Sequence, residues 1–508
     1  MKRQIFMFIL LILTASLVLA SCNSTPKVSV SYGDVSGGED SSEDDPVSGG
    51  DETSDGESGQ ETGSAAGSNS AGANTSKSGD SKVDLKGYTF TIASDWMTLR
   101  ENLGEKTPLF ERLFWERAEQ VEKDLNCKIK VIRFESTAGN MRSYIMAGKK
   151  IADVVETIPM WIPQSISNGY FKPWDEVPGI NYKDSSTWLQ YANSLGTSNG
   201  KVYGIQFLKP AEARFCVMFN KTLLAKNGVD AEGIYSLVDK KQWTWDKMRE
   251  YAIAATKDTT GDNKIDTYGI LGKPEYLASA FLSSFGGSIG TMNGKKCTFS
   301  LNSSASLAGL NFYDGLVNTD KVVWVPDQLL SAASYDNVPE NLYIQKFNSG
   351  EAAFLIWESW VLNQYTKAQA KFDYGILPLP LGGSQKSYVS PAHNLRVLTV
   401  TSTNKDLDKL APILNALAKP PKGYEKEAGW LEDIQADYFQ AKDKKSIEMY
   451  KLILNSSMRD PGLSVASLDS AFKTDVIMNS IYLKKSTVGA AVDSIKNAHT
   501  DAINAVYK

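Results

Sequence analysis

The sequence predicts two α/β lobes, and three observations carry that expectation. Residues 83–508 form a stretch too long for one ordinary core. Short apolar strands alternate with amphipathic helices along it, as in lobes whose sheets are covered by helices. Near its start the order is strand, helix, strand, helix, strand, the pattern of a doubly wound lobe. Ligands in such lobes sit beyond the carboxyl ends of the strands.

The elements follow in order. Tyr88 to Ala93 reads as the first strand. A helix comes next, with Thr107 as its N-cap and Pro108 at its first position. Its inward face is Phe110, Phe114, Ala118, Val121 and Leu125, spaced at helical period. Lys128–Ile132 is the second strand, a short helix ends near Gly148, and Ile151–Val155 is the third strand. Further on, Thr244 suits the N-cap of a helix from Trp245 to Thr256. Gly350 suits the position just past a helix whose inner face includes Leu342 and Phe347. Glu351–Ile356 then reads as a strand, and Pro378 and Pro380 mark the extended exit from a strand at Gly375–Leu377.

Upstream, Lys2 and Arg3 precede an apolar run of about 15 residues that ends Leu19-Ala20-Ser21-Cys22. Residues 1–21 are therefore expected to be a lipoprotein signal peptide. A membrane span would need a longer run, roughly 20 residues. Cys22 is the expected lipidation site, its thiol taking diacylglycerol before cleavage, and two or more acyl chains give stable anchoring. Residues 23–82 contain no Leu, Ile, Phe or Trp. Such a segment cannot bury enough apolar surface to offset its ordering entropy, and 22–82 is expected to be a disordered acidic tether. A neutral flexible chain of that length spans about 40–45 Å, and like-charge repulsion stretches it further. The run Glu39, Asp40, Glu43, Asp44 and Asp45 reads as part of this solvated spacer.

Charge and rare residues exclude several classes. The whole chain is −5, but the tether carries twelve acids against three bases, so residues 83–508 are left near neutral, at +2. No basic stripe is present, which argues against nucleic acid. Cys127, Cys216 and Cys297 are too few and too scattered for a disulfide framework, and one bridge at most could form. His393 and His499 are the only histidines, little material for a zinc site or a catalytic triad. No nucleophile-elbow, zinc-protease or phosphate-loop motif occurs. No catalytic residue and no required cofactor are expected.

A series of local patterns then becomes specific. It runs through Gly148 and Ala152-Asp153-Val154-Val155, Gly169 to Trp174, Gly200 to Ile205, Phe219-Asn220-Lys221 and Trp243-Thr244-Trp245-Asp246. It continues through Phe347 to Phe354, Trp360, and Tyr374 to Pro380. In this order and spacing the chain resembles extracellular solute-binding proteins of the sugar-binding group, the receptors that feed ATP-binding-cassette (ABC) importers. The resemblance implies a periplasmic-binding-protein-like fold: two α/β lobes, a hinge of several chain crossings and a ligand cleft between them. By analogy lobe one is 84–212 plus 393–425, and lobe two is 213–390 plus 426–508. The implied function is a non-enzymatic, monomeric receptor that closes on a carbohydrate and delivers it to ABC permease subunits at the extracellular face of the membrane.

A sugar offers C–H faces to flat aromatics and hydroxyls to carboxylates, amides and guanidinium. Candidates fall where strands end. Trp96 follows the first strand, while Glu156, Thr157 and Trp161 follow the strand ending at Val155. Trp357, Glu358 and Trp360 follow the strand at Ala352–Ile356. The family places a stacking aromatic at the position matching Trp360, but often has glycines where Trp357 and Glu358 stand. Arg214 lies at the expected first crossing, where a ligand contact and a lobe-pinning salt bridge are both open to it. Asn394 is an amide candidate near the second crossing, and its neighbour His393 is expected to be structural. Core or surface packing is expected for Trp115, Trp174, Trp188, Trp243 and Trp430, and backbone capping for Asp153.

Asp258, Thr260, Asp262, Lys264 (by its carbonyl) and Asp266 match the front of a calcium loop. Asn263 stands where glycine is expected and tolerates the left-handed conformation. Position twelve is Gly269 and not a bidentate glutamate. Structural calcium and a plain Asp/Gly/Asn turn both remain open. Two other functional classes also remain open: a secreted polysaccharide-active enzyme, and a surface sensor or adhesion protein of the same fold.

Overall fold

The computed structural model describes residues 83–105, 107–198, 200–208, 214–332, 338–362, 370–392, 395–424, 444–465 and 470–507. The expected signal peptide, Cys22, the tether, His393, Asn394 and Trp430 lie outside these residues. Two main sheets organise the described chain.

The first sheet contains β1 (Tyr88–Ser94), β2 (Cys127–Arg133), β3 (Val154–Thr157), β4 (Phe171–Lys172) and, from much later in the chain, β9 (Val397–Thr401). Its order is β2-β1-β3-β9-β4. β1 runs parallel to β2 and β3, whereas β9 is antiparallel to β3 and β4. Both faces are covered. Phe90, Ile92 and Val154 point into a core with Trp115, Ala118, Val121, Trp174, Trp188 and Leu414. Ala93, Val155 and Val397 point the other way, toward Ile162, Tyr170 and Phe171. This alternation is the period-two rule of a sheet buried on both sides.

The second sheet contains β5 (Phe215–Asn220), β6 (Tyr268–Leu271), β7 (Ala352–Glu358) and β8 (Tyr374–Leu377), in the order β8-β5-β7-β6. β6 and β7 are parallel, and β5 is antiparallel to β7 and β8. Every residue of β5 and β7 is buried, in one large core that includes Trp243, Trp245, Phe281 and Tyr313.

Local chemistry explains several element ends. The Thr244 hydroxyl accepts from the Lys247 amide at 3.2 Å and caps the helix Trp245–Ala255. Gly350 has φ 85° just past the helix Glu340–Asn348, a conformation free of Cβ strain only for glycine. Asp153 is buried, and its carboxylate accepts from the Thr91 amide at 2.7 Å while also bonding the Tyr88 hydroxyl and Lys150.

Three expectations are corrected. The helix expected to be capped by Thr107 spans Leu109–Leu125, with extended Pro108 at its N-cap. The Thr107 hydroxyl instead turns back to accept from the Gly104 amide at 2.9 Å. The buried face of this helix is Leu113, Trp115, Ala118 and Val121; Ala118 and Val121 are as expected, whereas Phe110, Phe114 and Leu125 are only partly buried. Its packing partners are both a strand (β2) and the helix Leu407–Leu417, so two neighbours broaden the covered sector. The third strand begins at Val154, not Ile151.

Cys127, Cys216 and Cys297 are buried free thiols, each with its pKa raised by burial. No helix among the described residues is long and apolar enough to cross a membrane.

Candidate functional site

The carboxyl ends of β1 and β3 meet in a buried polar network. Ser94, the last residue of β1, donates from Oγ to Glu156 Oε2 at 2.8 Å. The other carboxylate oxygen of Glu156 accepts from Gln206 Nε2 at 3.0 Å. Gln206 also donates to the Arg396 carbonyl at 2.9 Å and accepts from the Phe207 amide. Arg396 in turn pairs with Asp95 at 3.2 Å. Glu156 is only 1% exposed, and these charge-assisted bonds compensate its burial. Trp96 is half-buried at the edge of this network, with its amide held by Ser94 Oγ. Thr157 is fully buried, and its hydroxyl has no hydrogen-bond partner among the described residues.

The matching edge of the second sheet gathers the other candidates. The register pairs Glu358 with Phe215, which brings Arg214 beside Ser359. The Ser359 amide donates to the Arg214 carbonyl at 2.9 Å. The Arg214 side chain is buried, donates from Nε to Ser457 Oγ at 2.6 Å, and lies 5.4 Å from the ring centre of Tyr191. Arg214 thus touches both Ser457 and the Tyr191 ring. Glu358 is fully buried, and its Oε2 accepts from Trp360 Nε1 at 3.1 Å. Trp360 itself is half-buried.

Trp357 requires a correction. It is fully buried, between Tyr276 and Tyr343, with ring centres at 4.9 and 5.9 Å. Its ring belongs to the core of the second sheet and is not an open platform. The extra bulk noted beside Trp360 is thus absorbed inward.

Trp161 is half-buried in the 3-10 turn Pro159–Trp161, which touches the turn Pro461–Ser464. The structure therefore sets Trp96, Glu156 and Thr157 at one sheet edge, and Arg214, Glu358 and Trp360 at the other.

Sequence reasoning missed Lys273, Glu275 and Tyr276. They follow the end of β6, which runs parallel to β7, so the same strand-end rule would have found them. Lys273 bridges Glu275 and Glu340 at 2.9 and 3.0 Å. Burial pulls its pKa down, but the two carboxylates outweigh it and the ammonium is held above its usual value. Ser457 and Gln206 were missed because nothing local marks them: each is defined by a partner far away in the chain.

In the loop Asp258–Asp266 the carboxylates serve the loop itself. Asp258 accepts from the amides of Gly261, Asn263 and Thr260, which lowers its pKa. Asp266 accepts from the Thr259 hydroxyl and from the amides of Thr259 and Thr260. Asp262 accepts from the Lys264 amide. Asn263 takes the left-handed conformation, at φ 63°. Among the described residues no cluster of three acidic, His or Cys side chains is placed to hold a metal ion.

Comparison with known proteins decides the family. The family model for bacterial extracellular solute-binding proteins matches residues 116–422, more than half of the chain. The chain belongs to that family. These are extracellular binding proteins, not enzymes. No curated protein matches the sequence.

Solved structures of solute-binding proteins share the fold. The GacH receptor of Streptomyces glaucescens GLA.O, solved unliganded and with acarbose, is 18% identical with a TM-score of 0.56, over 82% of this chain and 99% of that one. Maltose-bound MalE3 of T. maritima is 16% identical with a TM-score of 0.55, over 81% and 99%. The ABC substrate-binding protein Lmo0181 of Listeria monocytogenes, solved with cycloalternan, is 18% identical with a TM-score of 0.55, over 82% and 98%. At these identities the likeness establishes the two-lobed α/β fold of this solute-binding protein.

Proposed function

We propose that this solute-binding protein binds a carbohydrate, an oligosaccharide, between its lobes and delivers it to an ABC importer. The observation that carries the reading is a repeated pairing. A half-buried tryptophan stands beside a buried carboxylate at the carboxyl end of strands in each sheet: Trp96 with Glu156, and Trp360 with Glu358. An indole face suits the C–H face of a sugar ring, and a carboxylate suits its hydroxyls. The ligands named for GacH, MalE3 and Lmo0181 support the class.

Lobe one is taken as 84–212 plus 393–425, and lobe two as 213–390 plus 426–508. The sheet membership of β9 and of β5 to β8 supports this division. Ligand touching both edges would favour a closed state, which the importer reads. The lipoprotein box at Cys22 supports a lipid-anchored receptor on the outer face of the membrane.

The test is a calorimetric screen of the purified protein against a saccharide library. Binding of at least one oligosaccharide is expected. Binding of peptides or polyamines with no saccharide response would overturn the ligand class.

A further inference from the structure

Beside the Trp96 and Glu156 edge lies a hollow of about 80 Å³, partly open to solvent. Its walls are mostly apolar and include Leu113, Phe114, Phe207 and Leu417. Glu156 and Gln206 reach it, but they are bonded to each other and to neighbours, as described above. Thr98, Glu111, Arg117 and Lys419 also line it, but most of its exposed wall is apolar, and an apolar occupant suits such a wall better than solvent.

Polar clamps tie the walls of the hollow to one another. The loop after β1 is pinned to the helix Leu109–Leu125 twice: Trp115 Nε1 donates to the Thr98 carbonyl at 2.9 Å, and the Thr98 amide donates to Glu111 at 3.2 Å. On the far side Arg117 Nε donates to the Ala416 carbonyl at 3.0 Å and ties that helix to Leu407–Leu417. Collapse of the walls would bury more apolar surface, which is favourable. The clamps fix the positions of the joined elements on either side of the hollow.

We propose that this hollow receives the apolar part, aryl or alkyl, of a glycoside whose sugar part lies against Trp96 and Glu156. The inference rests on the carbohydrate reading and extends it: the preferred ligand is amphipathic, a sugar bearing an apolar aglycone. Trp96 lines the hollow and also stands at the strand end, so the two parts of the ligand would meet at one ring.

The test compares a panel of free sugars with their 4-nitrophenyl and octyl glycosides by calorimetry on the full chain. The glycosides should bind about tenfold tighter than their parent sugars. Ala418→Leu, which fills the hollow from one wall, should abolish that gain and leave free-sugar affinity unchanged. Leu417→Phe is the second filling variant, and a retained thermal transition certifies the fold of each. Equal affinity of glycosides and parent sugars would overturn the hollow's role while the carbohydrate reading stands. So would a gain that both filled variants keep. Silence from every sugar and every glycoside would overturn the carbohydrate reading and the inference together.

Discussion

Arg459 donates from Nη1 to the carbonyl oxygen of Leu195 at 2.7 Å, joining residues 264 positions apart. Leu195 ends a short helix on the side of the first sheet. Arg459 lies in a stretch that also bonds to elements around the second. Ser457 accepts from Arg214, Ser457 and Met458 pair with Ser390 and Pro391, and Asp460 takes the amides of Ile289 and Gly290. The Tyr507 hydroxyl closes the stretch by donating to the Pro461 carbonyl at 3.0 Å. Residues 457–461 thus form a strap from one sheet's surroundings to the other's.

Removing the guanidinium should weaken the strap. Arg459→Ala should destabilise the protein by about 1–3 kcal/mol, the range for a charge-assisted bond whose acceptor is left behind. Denaturant unfolding measures this. The exposed pair of Lys484 with Asp314 gives a control, since Lys484→Ala should cost well under that.

Asp460 makes the strap pH-sensitive. Burial pushes its carboxyl from 3.8 up to about 6, against the three amides of Ile289, Gly290 and Gly462 and the charge of Arg459, which pull it down. The folded protein holds this proton more tightly than the unfolded chain. The resulting stabilisation is full below 3.8 and is lost as pH rises through about 6. Asp460→Asn cannot ionise, so its thermal midpoint should gain on the parent's between about pH 4 and about pH 7. A difference that stays constant across that range would contradict the assignment.

Trp357 and Trp360 should separate stability from binding. Trp357→Ala removes a fully buried ring and should cost about 3–5 kcal/mol of folding free energy. Trp360→Ala should leave the protein folded and weaken saccharide binding at least about tenfold, within the range for a stacked aromatic in a binding centre. Calorimetry reads the second, and unchanged affinity would remove Trp360 from the site.

Thr244→Ala should cost about 1 kcal/mol, the usual value of an N-cap, and Thr244→Ser should recover most of it. Chemical denaturation of the three proteins checks this.

Much of the local fold was legible because its causes are local. Hydrophobic period gave the strand at Tyr88 and the helix after it, and the Thr244 cap and the Gly350 turn follow from residue type alone. The left-handed Asn263 belongs to the same kind. The candidate site was legible only in part. Strand-end position pointed to Trp96, Glu156, Glu358 and Trp360, but it could not tell Trp357 from Trp360. Every residue of β7 is buried, so alternation carries no signal there.

By itself, then, the sequence determined the α/β alternation, the near-neutral body behind an acidic segment, and the ordered patterns that place the chain among solute-binding proteins. Only the tertiary structure decided that β9 enters the first sheet between β3 and β4. It alone decided that Gln206 completes Glu156 across 50 residues, and that Arg459 finds Leu195. The physical reason is one of range. Capping, turns and periodicity depend on neighbours a few residues away, whereas sheet order and buried polar pairing depend on groups that meet only once the chain has folded.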